Sequence, residues 1–223
     1  MVKIALQPAL RPITTTLPPA RPASPAPSSQ HWRDGLPALA GATVTLRELK
    51  LSDAATLLAI MTPEAVARFI STPPSTVDGF ERFIQWAHSE RAHGRYACFA
   101  VVPHGKTKPV GIFQLRQLEA NFATAEWGFA LGSPFWGSGY FMDGAQLLVD
   151  FAVDVVGVRR LEARSAVANG RGNGALRKLG AVHEGVLRRA FAKGGRQMDQ
   201  SIWAILADEW RQARAIWNPA VIH

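Results

Sequence analysis

The feature that most constrains the fold is a glycine-rich turn between a strand pattern and a helix pattern in residues 125–156. The stretch reads AEWGFALGSPFWGSGYFMDGAQLLVDFAVDVV, and its turn is Trp136-Gly137-Ser138-Gly139-Tyr140. Glycines let backbone N–H groups point towards a ligand without a Cβ in the way, and the helix that follows adds unpaired N–H groups and a favourable dipole. This order of elements predicts an anion site, most often for phosphate. A tight connection that binds nothing would show the same pattern.

The length and proline distribution predict one domain preceded by an extension. The chain has 223 residues, of which 48% are apolar, so it can bury a sizeable core. Residues 1–40 contain eight of the fifteen prolines, a composition that cannot bury enough surface to offset its ordering entropy. We therefore expect a flexible Pro-rich extension over residues 1–40 and a folded domain over residues 41–217. A homodimer, in which this extension lies against the neighbouring subunit, stays open.

The composition also favours a reducing, cytoplasmic location. The one cysteine, Cys98, cannot form an internal disulfide, and its place in the apolar run 96–102 predicts a buried core residue. No apolar run approaches the roughly 18 residues that a membrane span needs, so we expect no membrane partner. His88 and His93 have no Cys or carboxylate partners at ligand spacing. We expect them on the solvated side of a helix, and we expect no metal.

Positive charge is concentrated in one segment. The formal net charge is +8. Between residues 159 and 196 only Glu162 and Glu184 oppose ten basic residues, namely Arg159, Arg160, Arg164, Arg171, Arg177, Lys178, Arg188, Arg189, Lys193 and Arg196. This excess favours an anionic partner, which is a nucleic acid, a phosphorylated cofactor or an acidic protein surface.

Residue periodicity predicts an α/β chain with a mixed sheet. Strands are expected at residues 43–49, 96–102, 109–118, 124–131, 159–167, 184–191 and 198–207. Helices are expected at residues 53–61 (N-cap Ser52), 63–69, 77–94 (N-cap Thr76, end at Gly94), 142–156 (C-cap Gly157), 170–180 (N-cap Asn169) and 208–217. In the helix at 142–156, the pattern places Asp143, Gln146, Asp150 and Asp154 on the solvent side.

Two motifs then resemble a known family. The segment FALGSPFWGSGYFMDGAQLLVDFAVD resembles the pyrophosphate loop and following helix of the GNAT superfamily of acetyl-CoA-dependent N-acetyltransferases. RLEARSAVANGRGNGALRKLGAVHEGVLRRAF resembles the second CoA motif of that superfamily. The Trp-Gly-x-Gly-Tyr and Glu-Gly-x-Leu-Arg forms are typical of the RimJ/RimL branch, which contains ribosomal-protein N-terminal acetyltransferases. The resemblance runs from about residue 44 to 210. It implies a single GNAT-like domain with a mixed, mostly antiparallel seven-stranded sheet flanked by helices.

The resemblance also implies the residues that bind acetyl-CoA. Backbone N–H groups of the turn and the first helical residues would hold the pyrophosphate, namely Trp136, Gly137, Ser138, Gly139, Tyr140, Phe141 and Met142. Phe141 stands where the family has a small residue, so its side chain must point away from the phosphate. Phe129, Ala130 and Leu131 would give main-chain hydrogen bonds to the pantetheine arm. Asn169 and Asn173 would reach the cofactor from the next helix. For Asn169 an N-cap role is expected as well, and for Asn173 a surface position is equally compatible with the sequence.

The general base is less well defined by the sequence. Many GNAT enzymes have a catalytic carboxylate near the position of Glu126, and by alternation Glu126 shares a strand face with Gly128 and Ala130. A strand glutamate that faces solvent or pairs with an arginine would look the same. Some enzymes of this branch are thought to use a serine and a glutamate at the positions that are Gly172 and Phe191 here. The family tyrosine that protonates the thiolate is also missing, so water would serve as the acid.

The acid–base groups bear on the acceptor. An α-amine with a pKa near 7.8 is roughly 14% neutral at pH 7, whereas a lysine amine near 10.4 is about 0.04% neutral. A site with few acid–base groups therefore favours a protein or peptide N-terminus. A small amine such as a polyamine, an amino acid or an antibiotic remains an alternative acceptor, and a non-catalytic acyl-CoA sensor is an alternative function. Nucleic acid binding is disfavoured because the basic residues are interleaved with the CoA motifs and no stacking aromatic cluster accompanies them.

Overall fold

A computed structural model describes residues 31–217, and within that range the chain forms one eight-stranded sheet with helices on both faces. The strands are β1 (Leu39–Ala40), β2 (Val44–Glu48), β3 (Tyr96–Pro103), β4 (Gly111–Gln117), β5 (Thr124–Leu131), β6 (Arg160–Ala166), β7 (Val182–Lys193) and β8 (Arg196–Leu206). Their order in the sheet is β1-β2-β3-β4-β5-β6-β8-β7, and every pair is antiparallel except β5–β6. The predicted mixed, mostly antiparallel sheet is confirmed.

The helices divide between the two faces of this sheet. They are α1 (Ala54–Met61), α2 (Glu64–Ala67), α3 (Val77–Ala92), α4 (Tyr140–Asp150), α5 (Gly170–Leu179) and α6 (Ala207–Trp217). The first three pack on one face, where they share a core with Cys98 and Ala100. The last three lie on the opposite face and share the core that contains Phe99 and Phe113. Because β3 is buried on both faces, all eight of its residues are buried.

The arrangement of β5 and β6 creates the cleft of the molecule. These two strands pair in parallel over only three residues each, Thr124–Glu126 with Arg160–Glu162. Beyond Glu126, β5 continues to Leu131 and stays paired with β4, while β6 continues along β8. The two strands therefore separate, and the C-terminal half of β5 has a free edge in the middle of the sheet.

The predicted caps of two helices are confirmed. The hydroxyl of Thr76 accepts the Gly79 N–H at 3.0 Å at the start of α3, and the side-chain oxygen of Asn169 accepts the Gly172 N–H at 3.0 Å at the start of α5. The prediction that Ser52 caps α1 is wrong. Asp53 holds that position, and its buried carboxylate forms a two-bond ion pair with Arg47.

The orientation predicted for Asp143 is also wrong. Its carboxylate is only 9% exposed and accepts the backbone N–H groups of Ala42, Thr43 and Val44 at 2.7–3.0 Å, together with the Thr43 hydroxyl. The apolar pattern of α4 could not reveal this, because the partners are main-chain groups about 100 residues earlier in the chain. Asp143 thus ties the first turn of α4 to the start of β2.

Other boundaries differ from the sequence-based expectations for physical reasons. The eighth strand is the short β1, which pairs with Leu46 and Thr45 of β2. Trp32 is buried against Phe122 and Phe151, so the packed region begins before residue 41, and residues 1–30 of the expected extension lie outside the described range. The expected helix over 142–156 begins two residues earlier and continues through a π-helical segment, Phe151–Val156, to Gly157.

Other predictions for single side chains had mixed outcomes. His88 is half-buried, with its Nε2 2.9 Å from the Leu49 carbonyl oxygen, whereas His93 is exposed as predicted. Cys98 is buried as predicted.

The Asp143 contact predicts a large stability effect. Asp143→Asn replaces one carboxylate oxygen by an NH₂ group that faces backbone donors, so we expect the free energy of unfolding to fall by about 2–4 kcal/mol. Urea unfolding followed by circular dichroism measures this change. Asp78→Asn is the matched control, because Asp78 is exposed and pairs only with Arg82 within α3, and it should cost less than about 0.5 kcal/mol. Equal effects of the two variants would contradict the anchoring role.

Candidate active site

The cleft between β5 and β6 opens into a cavity of about 700 Å³. That volume lies within the range of small-molecule and cofactor sites. Its walls come from the end of β5, the glycine-rich turn, the start of α5 and the α2 region. The lining residues are Ala65, Val66, Arg68, Phe69, Ile70, Phe129, Ala130, Leu131, Phe135, Trp136, Gly137, Ser138, Gly139, Phe141, Met142, Asn169, Gly170, Arg171, Gly172, Gly174, Ala175 and Lys178. Nearly all the residues predicted to bind the cofactor therefore meet at one cavity.

The glycine-rich turn has the conformation that an anion cradle needs. Gly137 and Gly139 have φ angles of 79° and 86°, in the left-handed region that favours glycine, and Gly139 is the N-cap of α4. A Cβ built on either glycine would meet no atom within 4 Å, so the space beside both residues is open. Packing thus does not require glycine at these positions, but the backbone conformation does.

Phe141 lines the cavity and also packs against other aromatic rings. Its ring packs 4.5 Å from that of Phe129 and 6.0 Å from that of Phe113, on the α4 side of the sheet. The first N–H groups of α4 have no partner within the helix, so a ligand at this end of the helix can bind them.

The free edge of β5 exposes the main chain of alternate residues. The Leu118 N–H bonds to the Thr124 carbonyl and the Gly132 N–H bonds to the Val110 carbonyl, so even-numbered residues of β5 direct their main-chain groups towards β4. The Phe129 and Leu131 groups consequently face the cleft, whereas those of Ala130 face β4. The Leu131 carbonyl already accepts the Trp136 indole N–H at 2.8 Å. The groups left for a ligand are the N–H and C=O of Phe129 and the N–H of Leu131.

The two asparagines of α5 differ in their surroundings. Asn169 lines the cavity and caps the helix. The Asn173 amide donates to the carbonyls of Ala166 and Asn169 at 2.9 Å, and its oxygen accepts the Trp203 indole N–H at 2.9 Å. Asn173 therefore serves helix and sheet packing on the far side of α5, and this geometry lends no support to its predicted contact with the cofactor.

Gly172 has no room for a side chain. A Cβ there would lie 2.5 Å from the Asn169 side-chain nitrogen and 2.9 Å from the Ser165 hydroxyl oxygen. This close approach of α5 to β6 gives a packing reason for the glycine at the position where some enzymes of the branch are thought to have a serine. Phe191, at the other such position, is half-buried on β7.

Arg171 is a cavity residue that the sequence reasoning did not single out. Its guanidinium lies 4.5 Å from the centre of the Trp136 ring, in cation–π geometry. Because Trp136 belongs to the turn and Arg171 to α5, the contact joins the two sides of the cleft mouth. No local pattern in the sequence indicates this pair, since the residues are 35 positions apart.

Glu126 is not among the residues that line the cavity. It forms an ion pair with Arg116, its register partner on β4, and its side chain is 22% exposed. Its face of β5 is the α1–α3 face, which it shares with Gly128 and Ala130. Two residues of β5, Trp127 and Gly128, separate Glu126 from Phe129 at the cavity wall.

The basic segment has specific structural partners. Arg160 pairs with both Glu162 and Glu184, and Arg164 with Glu162. The Lys193 ammonium donates to the carbonyls of Ala67 and Ile70, which joins the β7–β8 hairpin to the α2 region across the sheet. Within residues 31–217, no group of three or more His, Cys, Asp or Glu side chains is arranged to hold a metal ion, and no helix is long and apolar enough to cross a membrane.

Separated strands, a left-handed glycine turn and two helix N-termini surround one cleft, which is the arrangement that the sequence resemblance implies. A family profile described as "Acetyltransferase (GNAT) domain" matches residues 43–182. The chain belongs to this family, and the family predicted from the sequence is confirmed.

Similar proteins support the same classification. The uncharacterized N-acetyltransferase p20 of Bacillus licheniformis is 25% identical over 168 residues, which cover 75% of this chain and 94% of p20. A provisionally assigned acetyltransferase from T. thermophilus is 27% identical with a TM-score of 0.68, over 82% of this chain and 96% of that chain. Mycobacterium smegmatis RimJ, solved in complex with CoA-disulfide, is 23% identical with a TM-score of 0.71, over 82% of this chain and 90% of that chain.

The turn geometry predicts separable effects of two glycine substitutions. Gly139→Ala and Gly157→Ala both force a Cβ residue into left-handed backbone, since Gly157 has φ 87°, and each should cost about 1–2 kcal/mol of stability. Gly157 ends the π-helical segment that follows α4, far from the glycine-rich turn. Only Gly139→Ala should therefore also weaken CoA binding, by roughly tenfold for about 1.4 kcal/mol of lost binding energy. Titration calorimetry and thermal unfolding measure the two effects. Equal CoA affinities of the two variants would contradict the cradle.

Burial of Cys98 predicts an unreactive thiol. Burial raises the pKa of Cys98 to about 12, so the thiol stays protonated at the pH of an ordinary assay. We expect a disulfide reagent to leave Cys98 unlabelled in the native protein and to react with one thiol per chain in denaturant. Fast labelling of the native protein would contradict the packing of β3 against α1–α3.

Proposed function

We propose that the protein transfers an acetyl group from acetyl-CoA to a primary amine, by direct attack of the amine on the thioester. The observation that carries the proposal is the cleft, in which an anion cradle and free main-chain groups of β5 line one cavity. Backbone N–H groups from Gly137 to Met142 bind the diphosphate, and the α4 dipole favours its negative charge. Phe129 and Leu131 bind the pantetheine arm as an added strand would.

In the transfer step, the neutral amine nitrogen forms a bond to the carbonyl carbon, and the thioester oxygen becomes an oxyanion. One of the N–H groups of Phe129 and Leu131 stabilises that oxyanion. The carbon–sulfur bond then breaks, the thiolate takes a proton from water, and the amide product has lost one proton from its nitrogen. The protein supplies orientation and electrostatic stabilisation rather than a covalent intermediate.

Glu126 is our proposal for the general base, acting through water. Its carboxylate forms an ion pair with Arg116, and its distance from the cavity along β5 requires at least one bridging water to the amine. The scarcity of other groups supports the proposal, because no Asp or Glu is among the described residues that line the cavity.

For the acceptor we propose a peptide or protein N-terminal α-amine. The support is energetic, since removing the proton of a lysine amine at pH 7 costs about 3.5 kcal/mol more than for an α-amine. A site without a carboxylate at the reacting centre does little to offset that difference. A cytoplasmic location and a homodimer stay predictions.

Thiol release from acetyl-CoA against a panel of acceptors tests the function. We expect turnover with short peptides at their α-amine, confirmed by a mass increase of one acetyl group, and weaker turnover with polyamines, free amino acids and aminoglycosides. CoA binding by calorimetry without thiol release for any acceptor would instead identify an acyl-CoA sensor.

The role of Glu126 has its own test. Glu126→Gln should lower turnover by roughly a hundredfold while the affinity for acetyl-CoA stays within about twofold, because the carboxylate acts on the amine and not on the cofactor. Glu90→Gln is the matched control, since Glu90 also pairs with an arginine, Arg95, but lies on α3 away from the cleft. Unchanged turnover of Glu126→Gln would remove Glu126 from the mechanism.

A further inference from the structure

Gln114 of β4 has a fixed side-chain amide beside the separated strands. It is half-buried on the α1–α3 face of the sheet, and its Oε1 accepts the Tyr96 hydroxyl at 2.6 Å. The Tyr96 ring is buried and packs 4.9 Å from the ring of Trp86. With the amide assigned this way, its oxygen faces the Tyr96 hydroxyl, which is also in hydrogen-bond contact with the Cys98 thiol. The NH₂ group of Gln114 is then directed away from Tyr96.

Gly128 lets this amide reach across β5. Gln114 and Gly128 are register partners, and a Cβ on residue 128 would lie 2.9 Å from the Gln114 Nε2 atom and 3.4 Å from its Cγ. The side chain therefore lies flat over Gly128. Its NH₂ group lies over Gly128. This residue comes after Glu126, the last residue of β5 that pairs with β6. Within residues 31–217 the structure gives this NH₂ group no hydrogen-bond acceptor.

The amide lies one strand residue away from the cavity wall, and neither Gln114 nor Gly128 itself lines the cavity. Gly128 directly precedes Phe129, whose main-chain groups face the cleft. Glu126 is on the same face of β5, one alternation earlier in the strand. An amine substrate that approaches the thioester from the α1–α3 face therefore comes near two side-chain groups, the NH₂ group of Gln114 and the carboxylate of Glu126.

We propose that Gln114 binds the carbonyl oxygen next to the reacting amine and so selects peptide α-amines as acceptors, an inference that rests on the proposed function. In a peptide N-terminus the amine and the first carbonyl are separated by one carbon, so their nitrogen and oxygen lie within a few ångströms. The terminal amine of a lysine or polyamine has only methylene groups at that distance and offers the Gln114 NH₂ group no acceptor. When such an amine binds, it removes water from the Gln114 NH₂ group without replacing the lost hydrogen bond. This free-energy cost disfavours the binding of lysine and polyamine acceptors.

Tyr96 acts on the substrate through Gln114 and is a positioning residue. Burial raises its pKa well above the ordinary value, so the hydroxyl keeps its proton and continues to donate to Gln114 at any assay pH. In this orientation the Gln114 NH₂ group lies over Gly128.

A comparison of two acceptors in four variants tests the inference. The acceptors are the amide of tri-alanine and 2-aminobutane, which has the same methyl-bearing carbon next to the amine but no carbonyl. The variants are Gln114→Leu, Gly128→Ala, which displaces the amide, Tyr96→Phe, which frees it, and the control Gln117→Leu on the opposite face of β4. Each is assayed for thiol release with both acceptors and for acetyl-CoA affinity by calorimetry.

We expect kcat/KM for the peptide to fall roughly three- to tenfold more than kcat/KM for 2-aminobutane in Gln114→Leu and Gly128→Ala, the value of one hydrogen bond. Tyr96→Phe should show a smaller difference in the same direction, mainly in KM, and Gln117→Leu should show none. Acetyl-CoA affinity should vary less than twofold, which separates acceptor binding from a general loss of fold. Equal losses on both acceptors, or no loss on either, would overturn the role of Gln114. Wild-type turnover in the same assay tests the proposed function separately, because it depends on none of the four variants.

Discussion

The brief parallel pairing of β5 with β6 is the constraint on which the rest of this structure depends. Main-chain N–H and C=O groups inside a sheet are normally paired, and leaving them unpaired in a buried place is costly. Here the strands separate after Glu126 and Glu162, so Phe129 and Leu131 present main-chain groups to a cavity instead of to a neighbouring strand. A ligand with amide groups along its length satisfies them, and the pantetheine arm of CoA has that chemistry. The opening in the sheet therefore suits the binding of such a ligand.

Two contacts hold the cradle in place around this opening. Asp143 fixes the first turn of α4 to the start of β2 through three backbone N–H groups, and the Trp136 indole fixes the turn to the Leu131 carbonyl. Gly144 brings α4 close to the sheet, since a Cβ there would lie 2.6 Å from the Phe113 ring. A helix held at this height directs its free N–H groups at a fixed point, which is how a helix N-terminus becomes a selective anion site.

The sequence was sufficient for the elements and insufficient for contacts between distant segments. The glycine turn, the caps at Thr76 and Asn169 and the bounds of β5 depend on local periodicity and turn chemistry, and each was predicted. Asp143 was assigned to the solvent side because its partners are main-chain groups of a distant strand. Asn173 occupies a position of the second CoA motif, but its side-chain oxygen accepts the indole N–H of Trp203, which lies on β8. Gln114 escaped notice because its environment comes from strands β3 and β5, whose register no single-strand pattern contains.

Two independent physical arguments converge on the same class of acceptor. The first concerns protons: the described residues that line the cavity include no carboxylate, so Glu126, the proposed base, reaches the amine only through water. An amine that is already partly neutral near pH 7 is favoured, and an α-amine is the common example. The second concerns hydrogen bonds: the NH₂ group of Gln114 lies over Gly128, and in its proposed role it binds the carbonyl next to the reacting amine. The electron-withdrawing carbonyl is also what lowers the pKa of an α-amine. One functional group of the acceptor therefore meets both requirements, and a site with few acid–base residues can remain selective because the substrate itself supplies the low pKa.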